Sequence, residues 1–235
     1  MKKIENFLNS DIDNKCLIDL YSKMYKDTSI ITIPNFISLD VLENIKSEIE
    51  NYKWWVYSII PENDTWDMKY IDELTHENKL ELFNNLEKKN FCYRFKRSLK
   101  DHFDTCYCIS CRLKETICGD EITDILCKIV GCKKLIPGEI FLSNYGKDDF
   151  LSVHHDKNKG DLSVTFSLTY DWDPTYGGIL HFCDEDKNIY KSIVPKLGSV
   201  NIFKLDPKNG IQHFVSSVNV DKNRYTFTAW YYIVE

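Results

Sequence analysis

Gly138-Glu-Ile-Phe-Leu-Ser-Asn-Tyr145-Gly-Lys-Asp-Asp149-Phe-Leu-Ser-Val-His154-His-Asp156 is the stretch on which the reading of the fold turns. It holds two short runs of strand-forming residues separated by Gly and Asp, the pattern of a half-buried hairpin rather than of a helix. Working outward from it, eight such runs fill the C-terminal part: Glu139 to Tyr145, Phe150 to His154, Leu162 to Tyr170, Gly178 to Cys183, Ile189 to Val194, Ser199 to Leu205, Ile211 to Val218 and Arg224 to Val234. Their number and length suit a jelly roll, whose open mouth can hold inward-pointing side chains.

Upstream the texture changes. All nine glycines lie at or after Gly119, while the first half is rich in Lys, Asn, Glu and Leu, which predicts a helical flank before a turn-rich β core. Ser38 is a candidate cap for a helix carrying Leu39, Leu42, Ile45, Ile49 and Tyr52, just after an extended Ile30 to Ile33. A weaker helical pattern runs from about Met68 to Leu86. A third helix, Glu121 to Val130, turns Ile122, Ile125, Leu126 and Ile129 to one face before Gly131 ends it. The expected class is α+β: a jelly-roll core over 138–235 with a mostly helical flank over 1–137 packed on it, the two forming one structural domain.

The chain has 235 residues, 43% of them hydrophobic, enough for a full core. A formal net charge of −6 argues against a broad phosphate-binding face, so nucleic acid is not an expected partner despite the local run Arg94, Lys96, Arg97 and Lys100. The start, Met1-Lys-Lys-Ile-Glu, leads into polar residues rather than an apolar signal, and no long apolar run follows, so no membrane association is expected. Nine cysteines, an odd number, fit free thiols in a reducing compartment, cytoplasmic or nuclear.

Residues two apart on a strand point the same way, so His154 and Asp156 can both turn inward while His155 faces away. His213 sits in the seventh run, which in a jelly roll can lie beside the second. Two histidines and a carboxylate form a facial triad that leaves three open positions on an octahedral Fe(II). On the last strand Arg224, Thr226, Thr228 and Trp230 share one face. An inward Arg needs an anionic partner, and a carboxylate held by the planar guanidinium, with a neighbouring hydroxyl, is the expected one. A His-x-Asp pair alone is common in loops and a strand-opening Arg is ordinarily solvated; the ordered set of four carries the reading.

That ordered set, with Asn144-Tyr145, Asp149-Phe150-Leu151, Trp172-Asp-Pro, Gly177-Gly-Ile-Leu180, His213-Phe-Val215 and Arg224-Tyr-Thr-Phe-Thr-Ala-Trp230, resembles the 2-oxoglutarate and Fe(II)-dependent oxygenases, in their prolyl-hydroxylase-like branch. Within it the chain resembles the ribosomal-protein prolyl hydroxylases and, further off, the oxygen-sensing prolyl hydroxylases. The resemblance implies a double-stranded β-helix (jelly-roll, cupin-like) core and iron held by His154, Asp156 and His213. It implies that Arg224 binds the distal carboxylate of 2-oxoglutarate, that Tyr145 faces the co-substrate, and that either Thr169 or Tyr170 supplies a hydroxyl, the alternation favouring Thr169 inward with Thr165 and Ser167. Leu180, Val215 and Trp230 match wall positions, with Thr228 beside the co-substrate.

The cofactors so implied are Fe(II), 2-oxoglutarate and O2, with ascorbate in support. The implied reaction is oxidative decarboxylation to succinate and CO2 coupled to hydroxylation of a C–H bond on a protein or peptide side chain, prolyl first. Asp156 favours hydroxylation over halogenation, since related halogenases have a small residue there. Alternatives are hydroxylation of another residue or a small molecule, or a catalytically silent cupin-like binding module.

Two further features stand outside that core. Cys106-x-Cys108-x-x-Cys111, with Cys118 nearby and His102 upstream, is a candidate zinc site, although paired Cys-x-x-Cys knuckles are absent. Trp54-Trp55-Val-Tyr57 and Phe91-Cys-Tyr93-Arg94-Phe95 are candidates for a substrate groove or for packing between flank and sheet.

Overall fold

A computed structural model describes residues 3–59, 69–71, 73–98, 106–156, 158–205 and 211–235. Its α-helices are α1 (Lys15–Thr28), α2 (Leu39–Glu50), α3 (His76–Glu87), α4 (Ile109–Ile117) and α5 (Asp120–Val130), interleaved with the first four strands. The strands are β1 (Ile30–Ile33), β2 (Trp55–Ile59), β3 (Lys69–Ile71), β4 (Tyr93–Ser98), β5 (Lys134–Tyr145), β6 (Phe150–His154), β7 (Leu162–Ser167), β8 (Leu180–Cys183), β9 (Ile189–Ile193), β10 (Val200–Lys204), β11 (Gln212–Val215) and β12 (Arg224–Val234). They form one antiparallel sheet in the order β1-β10-β7-β12-β5-β4-β6-β11-β8-β9, with β2 paired to β4 and β3 to β2, nearly closed on itself as a jelly-roll double-stranded β-helix.

The alternation of β12 sorts the interior. Tyr225, Phe227, Ala229 and Tyr231 face a large core shared with the helices, while Trp230 on the other face joins a smaller core with Tyr93, Phe95, Phe141, Tyr145 and Leu180. α5 shows why the helices sit where they do: Ile122, Ile125, Leu126 and Ile129 are buried along one stripe, each contributing roughly 1.5–3 kcal/mol of hydrophobic stabilisation. Gly131 then ends the helix in the left-handed region at φ 80°, its N–H donating to the Cys127 carbonyl. Tyr231 is fully buried and donates its hydroxyl to the Ile117 carbonyl at 3.0 Å, tying α4 to β12.

Several expectations change. The run from Met68 to Leu86 is not one helix: Met68 lies outside the described residues, Lys69–Ile71 pairs with β2 as a strand, and the helix begins at His76, where Thr75 and Asn78 close a capping box. In α2 Leu39 is 61% exposed and Val41 takes the core position instead; Ser38 occupies the cap without a side-chain hydrogen bond. The run from Leu162 stops being a strand at Ser167. The flank over 1–137 supplies β1 to β4 as well as helices, so the sheet draws strands from both parts of the chain.

One corner fixes a close approach. Gly177 has φ +74°, and a Cβ there would lie 1.9 Å from the Ser217 carbonyl oxygen, so only glycine admits the contact. Gly177 bridges Val218, which brings β8 in alongside β11.

Candidate active site

Strand register builds the site. His154 ends β6 and is the direct cross-strand partner of His213 on β11, which places the two imidazoles 4.2 Å apart, centroid to centroid. Asp156, two residues beyond His154, brings its carboxylate to 3.2 Å from His154 Nε2 and 3.5 Å from His213 Nε2. One donor atom from each of the three lies within 4.8 Å of the others. His155 lies beside the cavity without joining this group.

The chemistry of the donors suits a metal. His154 Nδ1 lies 3.0 Å from the Ser152 carbonyl and His213 Nδ1 3.2 Å from the Ile211 carbonyl. A carbonyl can only accept, so each Nδ1 carries the proton and each Nε2 turns a lone pair toward Asp156. Burial, reinforced by His213, pulls the His154 pKa below its ordinary value and keeps that ring neutral. Trp230 Nε1 donates to Asp156 Oδ2 at 3.1 Å and fixes the carboxylate plane. An N,O,N donor set with its outer hydrogen bonds in place fits Fe(II).

At the other end of the same cavity, of about 660 Å³, Arg224 opens β12 directly opposite Tyr145 on β5. It is 5% exposed, and its Nη1 reaches Thr226 Oγ1 only at 3.4 Å while its Nε, buried, meets no acceptor. Burial pulls the guanidinium pKa down, so the charged side chain is held at a cost that an anion would relieve. Thr226 Oγ1 is linked to Ser143 Oγ at 2.7 Å, and Thr165 Oγ1 is buried in the cavity without a partner. A dicarboxylate matches these orphaned donors, and 2-oxoglutarate fits the site.

Between the two ends runs an aromatic wall. Phe91 stacks on His154 at 5.1 Å; Tyr93, Phe95 and Tyr145 continue the series at 5.6, 5.2 and 4.7 Å; and the Arg224 guanidinium lies 5.0 Å from the Tyr145 ring centre. Leu180, Val215, Thr228 and Trp230 line the same cavity, as do Arg97 and Glu139, which pair at 2.7 Å. The wall's signal was present in the sequence as the period-two alternation of Phe91, Tyr93, Phe95 and Arg97. Trp54 and Trp55 instead pack with Tyr52 and Tyr225 on the helical side.

Neither alternative for the co-substrate's hydroxyl partner, Thr169 or Tyr170, is brought to the cavity. Thr169 turns away: its hydroxyl donates to the Tyr225 carbonyl at 2.8 Å and accepts from the Tyr225 N–H at 3.1 Å. Tyr170 reaches α2, donating to the Leu42 carbonyl beneath the Lys46 ammonium. The alternation that favoured Thr169 expires with β7 at Ser167. Of the basic run, Arg94 pairs with Asp149 and Arg97 with Glu139, Lys96 lies over Tyr57, and Lys100 is outside the described residues. No described helix is long and apolar enough to cross a membrane.

Residues 140–232 match the sequence model of the 2OG-Fe(II) oxygenase superfamily, the family whose cofactors are Fe(II), 2-oxoglutarate and O2. A search of curated proteins found no match. Among solved structures, a prolyl hydroxylase from Trichoplax adhaerens, in complex with a hypoxia inducible factor oxygen degradation domain peptide fragment, is 15% identical with TM-score 0.62, covering 94% of each chain. A Pseudomonas putida prolyl-4-hydroxylase is 13% identical with TM-score 0.55, over 93% of this chain and all (100%) of that one. The non-haem α-ketoglutarate-dependent epimerase SnoN from nogalamycin biosynthesis is 9% identical with TM-score 0.59, over 93% of this chain and 83% of that one. At these identities the likeness is one of fold.

Proposed function

Proceeding from a 2OG-Fe(II) oxygenase domain over residues 140–232, we propose that this chain is a dioxygenase that hydroxylates a protein side chain, prolyl in the first instance. The observation that carries the oxygenase reading is the shared cavity: a His–Asp–His donor set at one end, and at the other a buried Arg224 whose Nε has no partner.

In this reading His154, Asp156 and His213 hold the metal, and Trp230 keeps the carboxylate of Asp156 turned toward it. Arg224 takes the distal carboxylate of 2-oxoglutarate on its free edge, with the linked hydroxyls of Thr226 and Ser143 beside it. When bound, Fe(II) and 2-oxoglutarate supply the activation of O2. The protein needs only to orient the parts and exclude water, and the wall from Phe91 to Tyr145 does the second. A prolyl ring is neutral and apolar, and Phe91 stacked on His154 offers such a ring an aromatic face next to the metal ligands. Two solved prolyl hydroxylases of the same fold, one of them in a peptide complex, support this choice.

The test is incubation of the purified chain with Fe(II), 2-oxoglutarate and a panel of proline-containing peptides and proteins, followed by mass spectrometry for an added oxygen and assay of succinate. Oxygen on a prolyl residue, absent with Asp156→Ala, is the expected result. Turnover of 2-oxoglutarate that leaves every peptide unchanged but converts a small molecule would move the assignment to that substrate. No iron-dependent turnover at all would point to a binding module.

A further inference from the structure

We propose that Cys106, Cys108 and Cys111 form a second metal site, independent of the histidine–carboxylate group, that takes a thiophilic divalent ion of the zinc type. Their three sulfurs lie within 4.8 Å of one another, one of two such groups among the described residues. Cys108 Sγ and Cys111 Sγ are 3.6 Å apart. Tetrahedral zinc with bonds of about 2.3 Å sets its sulfurs roughly 3.8 Å from each other, so this pair is already spaced for one ion, whereas a disulfide would need about 2.05 Å. None of the three is in a disulfide and none is fully buried, so an ion can reach them from solvent.

Cys108 is the N-cap of α4 and Cys111 lies in its first turn. Burial pushes both of their thiols up, so an ion would bind by displacing their protons. The Cys108 N–H points at Cys106 Sγ, 3.5 Å away, and draws that thiol down. The platform is firm: Ile109, Leu113 and Ile117 anchor α4 in the large core, and Arg112 Nη1 lies 2.8 Å from both Glu48 oxygens on α2.

Cys118 drops out of the expected set. It is the C-cap of α4, about 15 Å along the axis from Cys108 at 1.5 Å per residue. His102 lies outside the described residues. Three thiolates therefore hold the ion and leave one position to a fourth donor. The sheet separates this site from the other: Cys108 packs against the helical core, while the His–Asp–His cavity opens on the opposite face of β12. An ion here would fasten the chain entering α4 to the helix itself, a stabilising role.

Cobalt(II) added to the reduced wild-type chain tests this without relying on activity. Thiolate ligands give an intense sulfur-to-cobalt charge-transfer band that histidine and carboxylate ligands cannot produce. The expected result is such a band, saturating once both metal-binding groups are filled and lost on adding excess zinc, with tetrahedral visible bands. It persists in Cys118→Ser and in Asp156→Ala, and disappears in Cys111→Ser. Absence of the band in the reduced wild type overturns the proposal, whatever the variants do. So does a band kept by Cys111→Ser, or isolation of a Cys108–Cys111 disulfide with no metal uptake after reduction.

Discussion

Arg224→Met separates the cost of the buried guanidinium from its use. In the free protein this side chain is 5% exposed; among the described residues its Nε has no acceptor, and its hydrogen bond to Thr226 is long at 3.4 Å. An ionised group in that state carries a desolvation penalty of several kcal/mol, and methionine keeps much of the packing volume. The reasoning predicts that the variant, without ligands, is more stable than the wild type by about 1–3 kcal/mol, or a melting temperature higher by roughly 2–10 °C at this size. With 2-oxoglutarate and a redox-inert metal under anaerobic conditions the gap closes or reverses. At a hundredfold excess over Kd the wild type gains about 2.7 kcal/mol, whereas the variant, lacking the charge-assisted pair, gains almost nothing. Differential scanning fluorimetry with and without 2-oxoglutarate reads both signs. A variant that melts well below the unliganded wild type would show that Arg224 is already paired for stability. One that keeps the full 2-oxoglutarate shift would remove it from the co-substrate site.

Other predictions follow from single contacts. Trp230→Phe keeps an aromatic ring but loses the N–H held by Asp156, so metal affinity, read by equilibrium titration, should fall about 10-fold or more while the fold persists. Thr169→Val removes both hydrogen bonds to the Tyr225 backbone and should cost about 1–3 kcal/mol of stability with 2-oxoglutarate affinity unchanged; weakened binding at constant stability would restore Thr169 to the site. The Asp149 carboxyl is pushed up to about 6 because burial outweighs the Gly146 N–H and the Arg94 guanidinium. The folded state therefore holds this proton more tightly than the unfolded chain, and the contribution is full below about pH 4 and lost as pH rises through 6. The urea-derived stability difference between wild type and Asp149→Asn should decline by up to about 3 kcal/mol across that window; a rising difference would contradict the burial argument.

Much of the site could be read from the chain because strand alternation is a strict rule where the strand is regular. β6 and β12 begin and end where their apolar patterns do, and His154, His213, Arg224 and Thr228 all face the cavity as the period of two requires. The same rule failed at Thr169, two residues past the end of β7, where the backbone had left the sheet and the hydroxyl found a main-chain partner. α1 and α4 were not legible as helices. Only Ile18 and Tyr25 of α1 are buried, and the start of α4 is masked by cysteines, which carry little helix signal. β4 was visible as an aromatic alternation, yet nothing local tells which sheet a strand will join; that is decided by partners fifty residues away.

β4 has a bearing on how the chain could be divided. One half of it pairs with β5, next to Arg224's partner Tyr145, and the other half with β6, just ahead of His154. The ladder carrying Arg224 and Tyr145 and the ladder carrying His154 and His213 are thus each set by their own register, and the strand that holds one against the other comes from the N-terminal half. A fragment beginning at Gly138 would keep His154, Asp156, His213 and Arg224 and still leave β5 and β6 with bare edges. Supplying residues 1–137 as a separate polypeptide should recover the site only by strand complementation, and the exposed edges make self-association the competing fate.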